Sequence, residues 1–104
     1  MFASCEERCY EVQVKSVRRL KYIFFPKDKF TPRHNLLAAV MIFLDGEEPQ
    51  FYLIPSTAWL EPNAPLVSHD YEGTKSEPEW GLNISRKNLC LLAHFKAEQV
   101  LQTL

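Results

Sequence analysis

Leu36-Leu37-Ala38-Ala39-Val40-Met41-Ile42-Phe43-Leu44, then Asp45-Gly46-Glu47-Glu48-Pro49, then Gln50-Phe51-Tyr52-Leu53-Ile54: this is the stretch on which the fold turns. A continuous apolar run such as residues 36–44 suits a central strand or a buried helix, because periodicity cannot separate the two. The flanks decide. Residues 45–49 are turn chemistry and residues 50–54 are a second strand-like run, so the pair reads as a β-hairpin.

Upstream, Tyr10-Glu11-Val12-Gln13-Val14-Lys15-Ser16 alternates strictly. A strand here turns Tyr10, Val12 and Val14 to one face, expected to be the core, and sets Glu11, Gln13 and Lys15 side by side on the other. A short polar link leads to Leu20-Lys21-Tyr22-Ile23-Phe24-Phe25, stopped by Pro26, and the two runs read as an antiparallel hairpin. Residues 26–32 carry two prolines and suit one helical turn or a loop.

Downstream, residues 55–60 predict a short helical turn with Ser56 or Thr57 as its cap. Residues 61–79 form a long irregular loop bearing Pro62, Pro65, Gly73 and Pro78, with a short strand at Leu66 and Val67. Leu82-Asn83-Ile84 reads as extended, and Ser85 as the N-cap of a C-terminal helix. The apolar positions of that helix fall on two faces, which predicts a break near Phe95-Lys96.

The length of 104 residues fits one domain with one core, and the 46% hydrophobic content excludes a disordered chain. The expected class is α+β, with a mixed or antiparallel sheet of four to five strands and a C-terminal helical segment. No apolar run reaches the ~20 residues that span a bilayer, so no membrane helix is expected. Cys5, Cys9 and Cys90 are an odd set behind an N-terminus without a secretory pattern, which predicts free thiols and a cytoplasmic setting.

The net charge of -1 conceals an asymmetry: residues 1–34 hold eight Lys and Arg against four Asp and Glu, and the rest hold four against nine. The alternating strand therefore lies in the basic third, where Lys15, Arg18, Arg19, Lys21, Lys27 and Arg33 are candidate phosphate contacts. Such charge blocks also occur as plain solvated faces. Glu11, Gln13 and the Val14 carbonyl offer oxygen ligands for Mg²⁺, and Lys15 a cation for phosphodiester cleavage. An exposed strand of no special role has the same pattern. His34, His69 and His94 lack zinc spacing. Trp59 and Trp80 suit either base stacking or closure of a small core. Tyr22, Phe24 and Phe25, interleaved with Lys21 and Lys27, suit either single-strand binding or packing.

The run from Tyr10 to Ser16, followed by a turn and an apolar strand pair, resembles the second half of the PD-(D/E)XK, or restriction-endonuclease-like, superfamily. More narrowly it is similar to bacterial domains of unknown function whose core strand reads Gln-Val-Lys-Ser. The resemblance implies a restriction-endonuclease-like core and a Mg²⁺-dependent endonuclease chemistry. Gln13 stands where that family has its second acidic or amide ligand and Lys15 where it has its lysine, with Glu11 as a partial substitute. It also implies a first aspartate on a preceding strand after an N-terminal helix, and this chain is expected to be truncated there, since Glu6 and Glu7 lie too close to Tyr10 to occupy another strand. Two function classes follow. One is a truncated or degenerate nuclease-like domain that binds nucleic acid with weak or absent cleavage. The other is a non-enzymatic protein-interaction module. A sheet edge lacking its neighbour predicts a homodimer.

Overall fold

The computed structural model describes residues 2–5, 8–70 and 77–102, with side chains from Tyr10 onward. It is α+β. Seven strands form two sheets: β1 (Phe2–Cys5), β2 (Arg8–Val17), β4 (Leu36–Ile42) and β5 (Gln50–Pro55) make a mixed four-stranded sheet in the order β1-β2-β4-β5, and β3 (Tyr22–Pro26), β7 (Glu79–Asn83) and β6 (Leu66–His69) an antiparallel sheet in the order β3-β7-β6. A 3₁₀ turn (Ser56–Leu60), a 3₁₀ helix (Leu89–Phe95) and α1 (Ala97–Leu101) complete the described elements.

The expected hairpin of residues 36–54 is present as β4 and β5, antiparallel from Leu37 opposite Pro55 to Ile42 opposite Gln50. The Glu47 N–H donates to the Leu44 carbonyl at 3.1 Å, and Gly46 occupies the left-handed region at φ 76° that favours a residue without Cβ. β4 is central. Leu36, Ala38, Val40 and Ile42 are almost wholly buried on one face and meet Tyr52 and Ile54 of β5.

β2 and β3 do not form the expected hairpin. β2 pairs with β4 in parallel, from Glu11 opposite Leu36 to Val17 opposite Ile42, and β3 pairs with β7. A parallel pair needs a long crossover, and here residues 18–35 supply it by way of the second sheet. The gain is aromatic: Phe25 stacks on Phe30 at 4.5 Å between ring centres, and Trp59 meets both edge-on at 5.8 and 5.6 Å. The Trp59 indole N–H donates to the Gly81 carbonyl at 2.8 Å and that of Trp80 to the Phe30 carbonyl at 2.9 Å, so both tryptophans tie the core together.

The polar and apolar faces of β2 are also reversed from expectation. Register places Glu11, Gln13 and Lys15 on the same side as Leu36, Ala38 and Val40, whereas Val14 on the other side is 48% exposed. Alternation separates two faces but does not say which one turns inward. The polar face is accepted because the segment of residues 29–33 folds over it and answers it with hydrogen bonds and charge.

Ser56 is not a helix cap. It is fully buried, accepts the Arg33 N–H and donates to the Arg33 carbonyl, both at 2.9 Å, and Pro55 precedes the 3₁₀ turn instead. Residues 61–79 include the expected short strand, lengthened to β6; residues 71–76 of that loop, like Glu6 and Glu7, lie outside the described residues. Ser85 opens the C-terminal segment by accepting the Asn88 N–H at 3.2 Å on its hydroxyl. The break falls at Lys96, whose extended backbone (ψ 136°) forms a β-bridge with Tyr52 between the 3₁₀ helix and α1. Among the described residues no helix is long and apolar enough to cross a membrane.

Candidate nucleic-acid interface

The polar face of β2 divides into two halves. In the first, the Arg33 guanidinium forms an ion pair with the Glu11 carboxylate, and the Gln13 side-chain amide donates to the Lys29 carbonyl at 2.8 Å. The Arg33 backbone is in turn held by Ser56, and the Glu11 N–H donates to the Asn35 carbonyl at 2.8 Å. Residues 29–35 are thereby clasped onto β2. Hard divalent cations favour several oxygen ligands, commonly more than one carboxylate. Here one carboxylate is neutralised by a guanidinium, the amide beside it is anchored to backbone, and the next side chain on the face is the Lys15 ammonium. That donor set does not fit a resident Mg²⁺ site.

In the second half the charges have no carboxylate partner among the described residues. Lys15 reaches from β2 to the edge strand β3, with its ammonium 5.6 Å from the centre of the Phe25 ring and 5.9 Å from that of Phe24, within cation–π range. Arg18 and Arg19 follow in the turn after β2, and Lys21 immediately precedes β3; all are exposed. Among the described residues, Lys15, Arg18, Arg19 and Lys21 form no ion pair within 4 Å. Four cations on one short segment, without neutralising carboxylates among the described residues, make a concentrated positive field.

The two remaining basic candidates have structural partners. The Lys27 ammonium contacts Asp70 at 2.6 Å and Ser68 at 2.7 Å and lies 4.1 Å from the centre of the Trp80 ring. Arg33 is the clasp of Glu11. Lys15, Arg18, Arg19 and Lys21 are thus exposed along one short segment, whereas Lys27 and Arg33 are held in internal pairs.

Beside the unpaired cations lies an aromatic surface that the sequence reading did not resolve. Adjacent residues of a strand point to opposite faces, and in β3 Ile23 and Phe25 are buried whereas Phe24 is 48% exposed. Tyr22 shares the outer face with Phe24. Its ring crosses Gly81, where a Cβ would collide with the phenol, and its hydroxyl donates to the Glu79 carboxylate. His69 meets the Tyr22 ring edge-on at 6.1 Å. The signal was available in the period-two alternation of residues 22–25, with Gly81 opposite Phe24 as the space for the tyrosine.

His34 and His94 are exposed, and among the described residues no group of three or more His, Cys, Asp or Glu side chains gathers as metal ligands. Compared with family models, curated proteins and solved structures, the chain matches none.

Proposed function

We propose that this chain is a degenerate nuclease-like domain, of restriction-endonuclease-like descent, that binds nucleic acid through the end of β2 and the turn after it, with metal-dependent cleavage weak or absent. The observation that carries the reading is the division of the β2 face. Lys15, Arg18, Arg19 and Lys21 have no carboxylate partner among the described residues, while Glu11 and Gln13 are held in place by Arg33 and Lys29. Gln13-Val14-Lys15-Ser16 lies on a strand of the mixed sheet, paired with β4, which is compatible with the core strand that the resemblance implies. The odd cysteine count suits a cytoplasmic setting in which nucleic acid is at hand.

The reading is tested by incubating the protein with labelled DNA and RNA in Mg²⁺ and following retardation and strand breakage in one gel. Retardation without breakage is expected. A Mg²⁺-dependent nick abolished by Lys15→Ala would restore an active nuclease, and no retardation at low salt would remove the binding function. Mg²⁺ and Mn²⁺ are expected to leave the melting temperature of wild type and of Gln13→Ala unchanged; a metal-induced rise in wild type alone would contradict the donor-set argument.

A second reading, a protein-interaction module that pairs with another copy of itself, is favoured by the edge of the larger sheet. β1 covers β2 only from Arg8 to Glu11, so residues 12–17 have no strand partner on that side among the described residues. Unpaired edges template association. Light scattering at micromolar concentration distinguishes the cases: twice the chain mass supports the homodimer, and a monomer that persists on concentration overturns it.

A further inference from the structure

We propose that the ligand of this surface is single-stranded nucleic acid, with a base stacked on Phe24 and the adjoining phosphates on Lys15, Arg18, Arg19 and Lys21. The inference rests on the nucleic-acid reading above and adds the strandedness of the ligand. Phe24 is nearly half exposed although its neighbour Phe25 is only 1% exposed, so the aromatic content of β3 is divided between a core and a surface. The Lys15 ammonium lies 5.9 Å from the Phe24 ring centre, which puts a phosphate contact beside the stacking position. A base already stacked inside a duplex cannot present its face to a side chain. One in a single strand can, and aromatic platforms flanked by cations bind such strands with little sequence preference.

The rest of the outer face supports this use. The phenol of Tyr22 is fixed by Glu79 and its ring crosses Gly81, which leaves Phe24 beside a level aromatic floor. Of the acids near it, Asp70 is paired with Lys27, whereas Glu79, which accepts the Tyr22 hydroxyl, and Glu77 border Phe24 on its other side, so the phosphates are assigned to the Lys15 side of the ring. A cation, an exposed ring and a tyrosine lying across Gly81 therefore coincide at β3.

Fluorescence anisotropy with an oligothymidine of about 15 nucleotides, and with its oligoadenosine duplex, tests the proposal. The single strand is expected to bind at least about tenfold more tightly, and Phe24→Ala to weaken it about five- to hundredfold with an unchanged circular dichroism spectrum. Phe24→Tyr, which keeps an aromatic face, is expected to retain most of the affinity. Equal binding of both forms that depends on Lys15, Arg18 and Arg19 but not on Phe24 would overturn the single-strand proposal and leave the cationic reading standing. Binding of neither form at low salt would overturn both.

Discussion

Glu11 and Gln13 occupy the same face of the same strand as Lys15, yet the two ends of that face meet different surroundings. At the first end the segment of residues 29–33 folds over β2, where Arg33 pairs with the Glu11 carboxylate and the Gln13 amide N–H donates to the Lys29 carbonyl. At the second end the chain turns away into the smaller sheet, and Lys15 is left beside an exposed phenylalanine, with Arg18, Arg19 and Lys21 exposed in the segment that follows. One alternating pattern thus yields a structural half and a half free to bind. Residue type does not distinguish them; what folds over each does.

The sharpest way to break this comparison is to exchange aromatic residues across it. Phe30→Ala removes a fully buried ring from the Phe25–Trp59 stack in the segment that covers the structural half, and is expected to cost about 3–5 kcal/mol in urea unfolding. Phe24→Ala, six positions earlier, is expected to change stability by less than about 0.5 kcal/mol, as exposed substitutions do. Comparable losses from the two would erase the distinction. Ser56→Ala leaves the Arg33 N–H and carbonyl without their buried partner, at an expected cost of about 1–3 kcal/mol with no loss of nucleic-acid affinity. Affinity lost in step with stability would mean that the clasp and the binding half are one unit.

Smaller effects sharpen the same line. Glu11 and Arg33 are more than a third exposed, so Glu11→Gln is expected to lower stability by about 1 kcal/mol or less in denaturant unfolding, and to leave oligonucleotide binding intact. Far from the binding half, Tyr52 donates to Gln50 at 2.6 Å, and burial raises its phenol pKa above the ordinary value. Its stabilising effect is complete below the unfolded phenol pKa and is lost as pH rises from about 10 through the folded value. Tyr52→Phe is expected to flatten that alkaline fall. The smallest effect concerns Glu47, where hydrogen bonding and charge from Arg86 hold the carboxyl below its usual pKa. That contribution is present above the unfolded carboxyl pKa and disappears as pH falls through the lower folded value; an acid-side unfolding profile unchanged by Glu47→Gln would remove it.

Much of the fold was legible because it is local. The β4–β5 hairpin follows from an apolar run, a glycine turn and a second run, and the break at Lys96 from apolar positions that no single helix face accommodates. The strand at Leu66 was visible as two apolar residues in a polar loop. Other features depended on long-range partners. β3 left the expected hairpin because Phe25 packs against Phe30 and Trp59, and the inward face of β2 was decided by Lys29 and Arg33, which no alternation within residues 10–16 encodes. Ser56 resembled a cap in sequence, but its hydroxyl serves backbone 23 residues earlier in the chain. In the candidate site the cations were evident, whereas which of them are free, and that Phe24 rather than Phe25 faces outward, required the two-sheet arrangement.

The central claim is that the second half of the β2 face and the turn beyond it bind phosphate. The most direct test is the salt dependence of oligothymidine affinity for wild type and for the Lys15→Ala, Arg18→Ala, Arg19→Ala triple variant. The account predicts an affinity that falls linearly on a log–log plot for wild type, with a slope shallower by about 2 in the variant, as expected for three lost phosphate contacts on a single strand. An affinity and slope unchanged by the triple substitution would contradict it.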